Sequence, residues 1–168
     1  MCIMKVRKAG DCMDFKRLSC GVTGQAKIPA DKVESVKQKI HEELQHALKA
    51  GCKYFFVGFT GEASLLFLET AIPFREQYPD ISIEAMIPHK EWVDEQKEKD
   101  RYYRALGQTN GYKMCCNQDY GDNIFIVNNQ LLDLCSRLIA IHDGQDTDTK
   151  QVAGLAKEME QEAREILV

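Results

Sequence analysis

Three short stretches place glycines and polar side chains directly after apolar runs. Thr23, Gly24 and Gln25 follow the first run, residues 58–62 (GFTGE) follow the second, and residues 143–149 (DGQDTDT) follow the last. Glycine adopts backbone angles that a side chain would forbid, so backbone N–H groups can turn toward a ligand. In an open α/β sheet such junctions favour anionic ligands, phosphates above all. We therefore predict a ligand cleft lined by these three stretches.

Each predicted ligand-binding residue is a glycine or carries a hydroxyl, an amide or a carboxylate. They are Thr23, Gly24, Gln25, Gly58, Thr60, Gly61, Asn129, Asp143, Gly144, Thr147 and Thr149. Asp143 could hold a ribose hydroxyl, although an aspartate before a glycine is also common in simple turns. Asn128 and Asn129 either face the cleft or lie on an exposed helix surface. Thr147 or Asp148 is predicted to cap the last helix.

Glu62 is the candidate general acid or base, because it lies in a glycine-flanked loop rather than on a charged helix surface. Its alternative role is that of a carboxylate at a helix N-terminus, which the helix dipole favours. His142 is the histidine that we expect near the cleft. The seven cysteines are scattered and odd in number, which indicates reduced thiols rather than a disulfide framework. No metal site is predicted.

The elements that position these stretches alternate along the chain. Apolar runs predict strands at 19–22, 54–57, 81–87, 112–115, 137–142 and 166–168. Apolar residues at three- and four-residue steps predict helices at 31–50 and 65–72, along the charged stretch 91–106 and after residue 149. Residues 123–135 fit either element by their pattern. The alternation predicts an α/β fold, a Rossmann-like three-layer sandwich with a mostly parallel sheet.

Length, composition and charge restrict the class of protein. The 168 residues suit one domain, for which we predict a lead-in at 1–17 and a single domain at 18–168. The net charge of −4 disfavours nucleic-acid binding through a broad basic surface. No run approaches a membrane helix, and the N-terminus lacks the apolar core of a signal peptide. We expect a cytoplasmic protein with a small-molecule or protein partner, and a homo-oligomer stays open.

Four motifs occur in a fixed order: CGVTGQ followed by IP, the Gly58 loop after an aromatic strand, YPD followed by EAMIP, and SRLIAIHDG. In this order and spacing they resemble the YpsA-like branch of the SLOG superfamily, whose relatives include the DNA-processing protein A core and the lysine-decarboxylase-like phosphoribohydrolases. The resemblance covers about residues 18–166. It implies a Rossmann-like sheet, a cleft for a nucleotide or an ADP-ribose-like nucleotide derivative, and a helix at 123–135.

Several residues depart from that family's usual motifs. Gln25 stands where histidine is usual, residues 58–64 lack the family's aspartate, and residues 143–149 lack two glycines of a D-G-x-x-G-G-T loop. Asp146 and Asp148 instead add negative charge, so the sequence leaves open whether this loop still binds phosphate. The P-G-G-x-G-T-x-x-E signature of the phosphoribohydrolases is absent, which disfavours their glycosidic chemistry.

Three functions are consistent with these residues. The first is a protein that senses or sequesters a nucleotide or nucleotide derivative without chemistry of its own. The second is a hydrolase that acts on such a ligand, with Glu62 as acid or base. The third is a protein-interaction module whose cleft has degenerated. No cofactor is assigned beyond the nucleotide-derived ligand itself.

Overall fold

Within residues 15–168, six strands form one sheet in which every neighbouring pair runs parallel. The strands are β1 (Ser19–Gly24), β2 (Tyr54–Gly58), β3 (Ser82–Ile87), β4 (Gly111–Met114), β5 (Arg137–His142) and β6 (Glu162–Leu167). Their order across the sheet is β4-β3-β2-β1-β5-β6. The predicted strands are confirmed, and the last of them is longer than its apolar residues indicated.

The structure is a computed structural model that describes residues 15–168. The predicted lead-in at 1–17 therefore lies outside the described residues, except for residues 15–17, which form one helical turn. No helix in the described part of the chain is both long enough and apolar enough to span a membrane.

From residue 18 onward, five α-helices cover the two faces of the sheet. They are α1 (Val33–Lys49), α2 (Glu62–Ala71), α3 (Lys99–Gly107), α4 (Asn123–Leu134) and α5 (Thr147–Glu158), with short 3-10 helices at Ala30–Lys32 and Ile72–Glu76. Helix α2 contacts both α1 and α3 on one face, while α4 and α5 contact each other on the opposite face. The predicted three-layer sandwich is confirmed.

The larger part of the core lies under α1, α2 and α3. Helix α1 buries Val36, Ile40 and Leu44, which recur at four-residue steps as its sequence pattern predicts. Residues 63–68 of α2 are buried without a break. This helix needs no polar face because it lies between two other helices and the sheet.

Helix α4 lies very close to the sheet on the opposite face. A Cβ atom at Gly21 would lie 3.3 Å from Cys135 Sγ, and one at Gly58 would lie 3.1 Å from both Leu131 Cδ1 and Val127 Cγ1. The absence of side chains at these two glycines therefore lets α4 approach β1 and β2. This contact explains why residues with strand propensity form a helix here, because tertiary packing overrides a local preference.

The predicted helix along the charged stretch is only partly correct. The α-helical part begins at Lys99, and the preceding residues form turns. Trp92 and Tyr102 are buried and contact the ring of Phe59, with centroid separations of 5.7 Å and 5.3 Å. Tyr103, the next residue, is 46% exposed. It projects from α3 beside its buried neighbour, because adjacent residues on a helix point in different directions.

Candidate functional site

The three predicted stretches lie at one edge of the sheet. Parallel strands end at the same edge, and β1, β2 and β5 are direct neighbours. The chain moves outward from β1 through β2, β3 and β4 and then returns to β5 on the other side of β1. The strand order therefore reverses between β1 and β5. In open α/β sheets, ligands bind in the crevice outside the carboxyl ends of the strands at such a reversal.

Gln25 joins the ends of β1 and β5. Its backbone N–H donates to the Ile141 carbonyl at 2.9 Å, and its side-chain oxygen accepts the N–H of Asp143 at 2.6 Å. The side-chain NH₂ group donates to the Lys27 carbonyl at 2.7 Å. With 8% of its surface exposed, Gln25 acts as a clamp between two loops. Its amide is therefore engaged within the protein on both sides.

The loops after β1 and β2 pack backbone against backbone. A Cβ atom at Gly61 would lie 2.4 Å from Ala26 Cα, and one at Gly24 would lie 2.5 Å from Ala63 Cβ. The buried hydroxyl of Thr60 donates to the Gly24 carbonyl at 2.9 Å. The two glycines thus have a packing role, since any side chain would push the loops apart.

Glu62 is the first residue of α2, and its carboxylate accepts the backbone N–H of Ile28 at 2.7 Å. Its own N–H donates to the Ala26 carbonyl at 2.9 Å. The side chain therefore holds the loop after β1 against the N-terminus of a helix, where the dipole favours a negative charge. A role for Glu62 as acid or base stays a prediction.

The loop after β5 is stabilised by its own aspartates. Asp143 Oδ1 accepts the N–H groups of Gln145 at 2.8 Å and Asp146 at 3.1 Å, and Gly144 adopts a left-handed φ of 84°. These N–H groups, that of Gln145 above all, hold the pKa of the exposed Asp143 carboxyl below its usual value. Asp143 therefore forms a turn that depends on its ionised carboxylate.

Asp146 is the N-cap of α5, and its side chain accepts the N–H of Thr149 at 3.0 Å. The prediction that Thr147 or Asp148 caps this helix is therefore wrong. The helix begins at Thr147, one residue too early for either of those side chains to occupy the capping position. Thr147 and Asp148 are exposed in the first turn, whereas Thr149 is buried.

His142 is buried at the end of β5 and supports the loop from inside. Its Nδ1 accepts the N–H of Gly144 at 3.0 Å, so the ring proton is assigned to Nε2, which donates to Glu165 Oε1 at 2.9 Å. Glu165 also pairs with Lys157 at 2.8 Å. The hydrogen bond from Lys157 and then that from His142 lower the pKa of Glu165. His142 thus lies beside the predicted cleft but is fully engaged within the protein.

A shallow groove lies between α4 and α5 at the same edge. Its lining consists of Phe125, Asn128, Asn129, Asp148, Gln151, Val152 and Leu155. Asn128 connects the groove to β1, because its side-chain oxygen accepts the hydroxyl of Thr23 at 2.7 Å. Asn129 also lines the groove, and its role in ligand binding stays a prediction. Thr23 supports the groove through its hydrogen bond to Asn128. Gly58 lies beneath α4.

Sequence reasoning missed Phe125 and Gln151 as residues of this groove. Once residues 123–135 are interpreted as a helix, Phe125, Asn128 and Asn129 have i, i+3 and i+4 spacing and share one face. Phe125 is 46% exposed, so its ring is open to solvent at the groove. In the described part of the chain, no three histidine, cysteine, aspartate or glutamate side chains are grouped so as to hold a metal ion.

Comparison with known protein families gives a match that covers most of the chain. The family model YpsA, described as the YspA SLOG family, matches residues 23–167. The match includes all three strand-end loops and both helices of the groove. No curated protein matches the chain. Because the family model spans most of the sequence, the chain belongs to the YspA SLOG family.

Proposed function

We propose that the protein binds a nucleotide or a nucleotide derivative and acts as a sensor or a sequestering module. The ligand lies in the crevice between the ends of β1 and β5 and extends into the groove between α4 and α5. The main support for this proposal is the reversal of strand order beside a groove lined by amide side chains. Membership of a SLOG family, with its nucleotide-related Rossmann-like fold, supports the same ligand class.

The groove offers the types of contact that a nucleoside requires. The exposed ring of Phe125 provides a flat surface against which a base can stack. The amides of Asn129 and Gln151 provide both donors and acceptors for the edge of a base. The carboxylate of Asp148 provides an acceptor for hydroxyl or amino groups of the ligand.

The proposal includes a cytoplasmic location and a small-molecule partner. Five cysteines of the described residues are free thiols, and three of them are buried. Scattered free thiols are typical of proteins from a reducing compartment. Burial raises the pKa of Cys20, Cys52 and Cys135, so these thiols stay protonated and act as small apolar side chains.

The proposal is tested by calorimetry and thermal shift with adenine, guanine, cytosine and uracil nucleosides, their mono- and diphosphates, and ADP-ribose. We expect at least one of these ligands to raise the melting temperature, because a ligand that binds only the native state stabilises it. Asn129→Ala removes one polar contact and should weaken that binding about fivefold, equivalent to roughly 1 kcal/mol.

Gln130→Ala is the matched control for Asn129→Ala. Gln130 is the next residue of α4 but lies outside the groove, where it accepts a hydrogen bond from Lys113. This variant should bind the ligand as the unmodified protein does. Equal loss of binding in both variants would place the ligand elsewhere, and failure of the whole ligand panel to bind would contradict the proposal.

A further inference from the structure

The backbone donors of the loop after β5 are already used within the protein. The N–H groups of Asp143 and Gly144 donate to the side chains of Gln25 and His142 at 2.6 Å and 3.0 Å. Asp143 Oδ1 accepts the next two N–H groups of the chain, at 2.8 Å and 3.1 Å. The N–H of Thr149 donates to the capping aspartate at 3.0 Å. Five N–H groups of this loop and helix start thus have side-chain acceptors.

The loop after β2 has the same property. The N–H groups of Thr60 and Gly61 donate to Ser64 Oγ at 3.1 Å and 3.3 Å. Those of Glu62 and Ala63 donate to carbonyls of the loop after β1, at 2.9 Å and 3.4 Å. The N-termini of α2 and α5 both lie at the carboxyl edge, where the N–H groups of Glu62 and Ala63 in α2 and of Thr149 in α5 are engaged.

These contacts oppose the binding of a phosphate group at this edge. Phosphates bind at helix N-termini chiefly through free backbone N–H groups, helped by the helix dipole. Here, protein side chains and carbonyls accept nine N–H groups of the two loops and helix starts, and two of these acceptors are the carboxylates of Asp143 and Asp146. Asp143, Asp146 and Asp148 give residues 143–150 three negative charges against the single positive charge of Lys150. A phosphate would have to displace internal hydrogen bonds and also enter a negative potential.

The groove beside this loop favours a ligand without phosphate. Its polar lining is made of amide groups and the Asp148 carboxylate, and its aromatic side chain is Phe125. Amides recognise the edge of a base, a carboxylate accepts hydrogen bonds from ribose hydroxyls or an exocyclic amine, and an aromatic ring stacks on a base. We propose that the ligand of this site is a phosphate-free nucleoside; this inference rests on the proposed function and narrows it.

The test compares each nucleoside with its own 5′-monophosphate by isothermal titration calorimetry. The protein is the unmodified chain at constant pH, in 20 mM and in 500 mM sodium chloride. We expect one nucleoside to bind at least about fivefold more tightly than its 5′-monophosphate at low salt. The difference should shrink at high salt, because repulsion between exposed charges is screened.

The outcomes separate the inference from the proposed function. If a 5′-phosphate or an ADP-ribose diphosphate tightens binding, the inference is overturned while nucleotide binding stands. If neither nucleosides nor nucleotides bind, the proposed function is overturned together with the inference. Tighter binding of the nucleoside supports both.

Asp148→Asn tests the electrostatic part of the inference, and Asp133→Asn is its control. Asp148 lines the groove, whereas the exposed Asp133 lies near the other end of α4. Both variants remove one negative charge and keep the side-chain shape. The preference for nucleoside over monophosphate should fall about threefold in Asp148→Asn and stay unchanged in Asp133→Asn. An equal preference for nucleoside over monophosphate in the two variants would overturn the electrostatic part of the inference. Unfolding curves establish that each variant is folded.

Discussion

Gln25 and Glu62 show how side chains that seem suited to chemistry can instead hold loops together. The Gln25 amide bridges the loops after β1 and β5, and the Glu62 carboxylate bridges the N-terminus of α2 and the loop after β1. Gln25 accepts a hydrogen bond from a residue 118 positions away in the sequence. Local patterns identify such residues as special but do not reveal their partners. The strand ends could therefore be predicted from the sequence, whereas the role of each side chain at those ends could not.

Replacing Glu62 separates its structural contact from any chemical role. Glu62→Ala leaves the Ile28 N–H without its acceptor and should lower the free energy of unfolding by about 1–3 kcal/mol. Glu62→Gln keeps a side-chain oxygen at the same position, so it should lower the free energy of unfolding by less than half as much. Urea unfolding followed by circular dichroism measures both changes. Equal destabilisation by the two variants would show that charge, rather than the hydrogen bond alone, holds this loop.

At the scale of elements, α4 determines how the site is built. Its sequence contains a run of β-branched and aromatic residues, so local propensity alone favours a strand at Ile124–Val127. The helix forms because Gly21 and Gly58 leave room for it against β1 and β2. The same close packing brings Asn128 within 2.7 Å of Thr23 and so creates one wall of the groove. Periodicity could not predict this wall, since it depends on contacts between distant elements.

Gly58→Ala tests the close approach of α4. The new methyl group would lie 3.1 Å from two side-chain atoms of α4 and 3.3 Å from the Val22 carbonyl. Overpacking of this kind should lower the free energy of unfolding by about 1–3 kcal/mol. Gly154→Ala is a control of opposite sign, because a Cβ atom there meets nothing within 4 Å and alanine favours a helix by up to about 1 kcal/mol. Stabilisation by both substitutions would contradict the tight packing at β2.

We expect the contact between β5, β6 and α5 to depend on pH through Glu165. Its pKa is lower in the folded protein than its usual value, through hydrogen bonds from Lys157 and His142. Its contribution to stability is therefore complete above the ordinary carboxyl pKa and disappears as the pH falls through the lowered value.

Glu165→Gln should cost about 0.5–1 kcal/mol at pH 7, because the side chain is partly exposed. Stability should also decline less steeply in this variant as the pH falls below about 5. Guanidinium unfolding between pH 3 and pH 7 measures both effects. The control is Glu158→Gln at the exposed end of α5, which should follow the curve of the unmodified protein. Parallel curves for Glu165→Gln and the unmodified protein would contradict the assigned pKa change.

At the scale of the whole molecule, alternating strands and helices were sufficient to predict the three-layer sandwich. Strands buried on both faces are nearly continuous apolar runs, and parallel pairing follows from the intervening helices. The shared edge of the three loops follows from the same topology. The groove and the hydrogen bonds between loops could not be predicted from this topology, because they depend on packing distances that no local sequence pattern contains.

The hydrogen bonds that join the three strand-end loops should also affect how fast a ligand of the proposed site binds. Asp143 is tied to Gln25, Thr60 to Gly24 and Glu62 to Ile28, so no loop can rearrange without disturbing another. The conformational entropy of ordering these loops is lost during folding rather than at the moment of binding. We therefore expect a ligand of the proposed site to meet a preformed surface and to associate in a single step governed by diffusion and orientation.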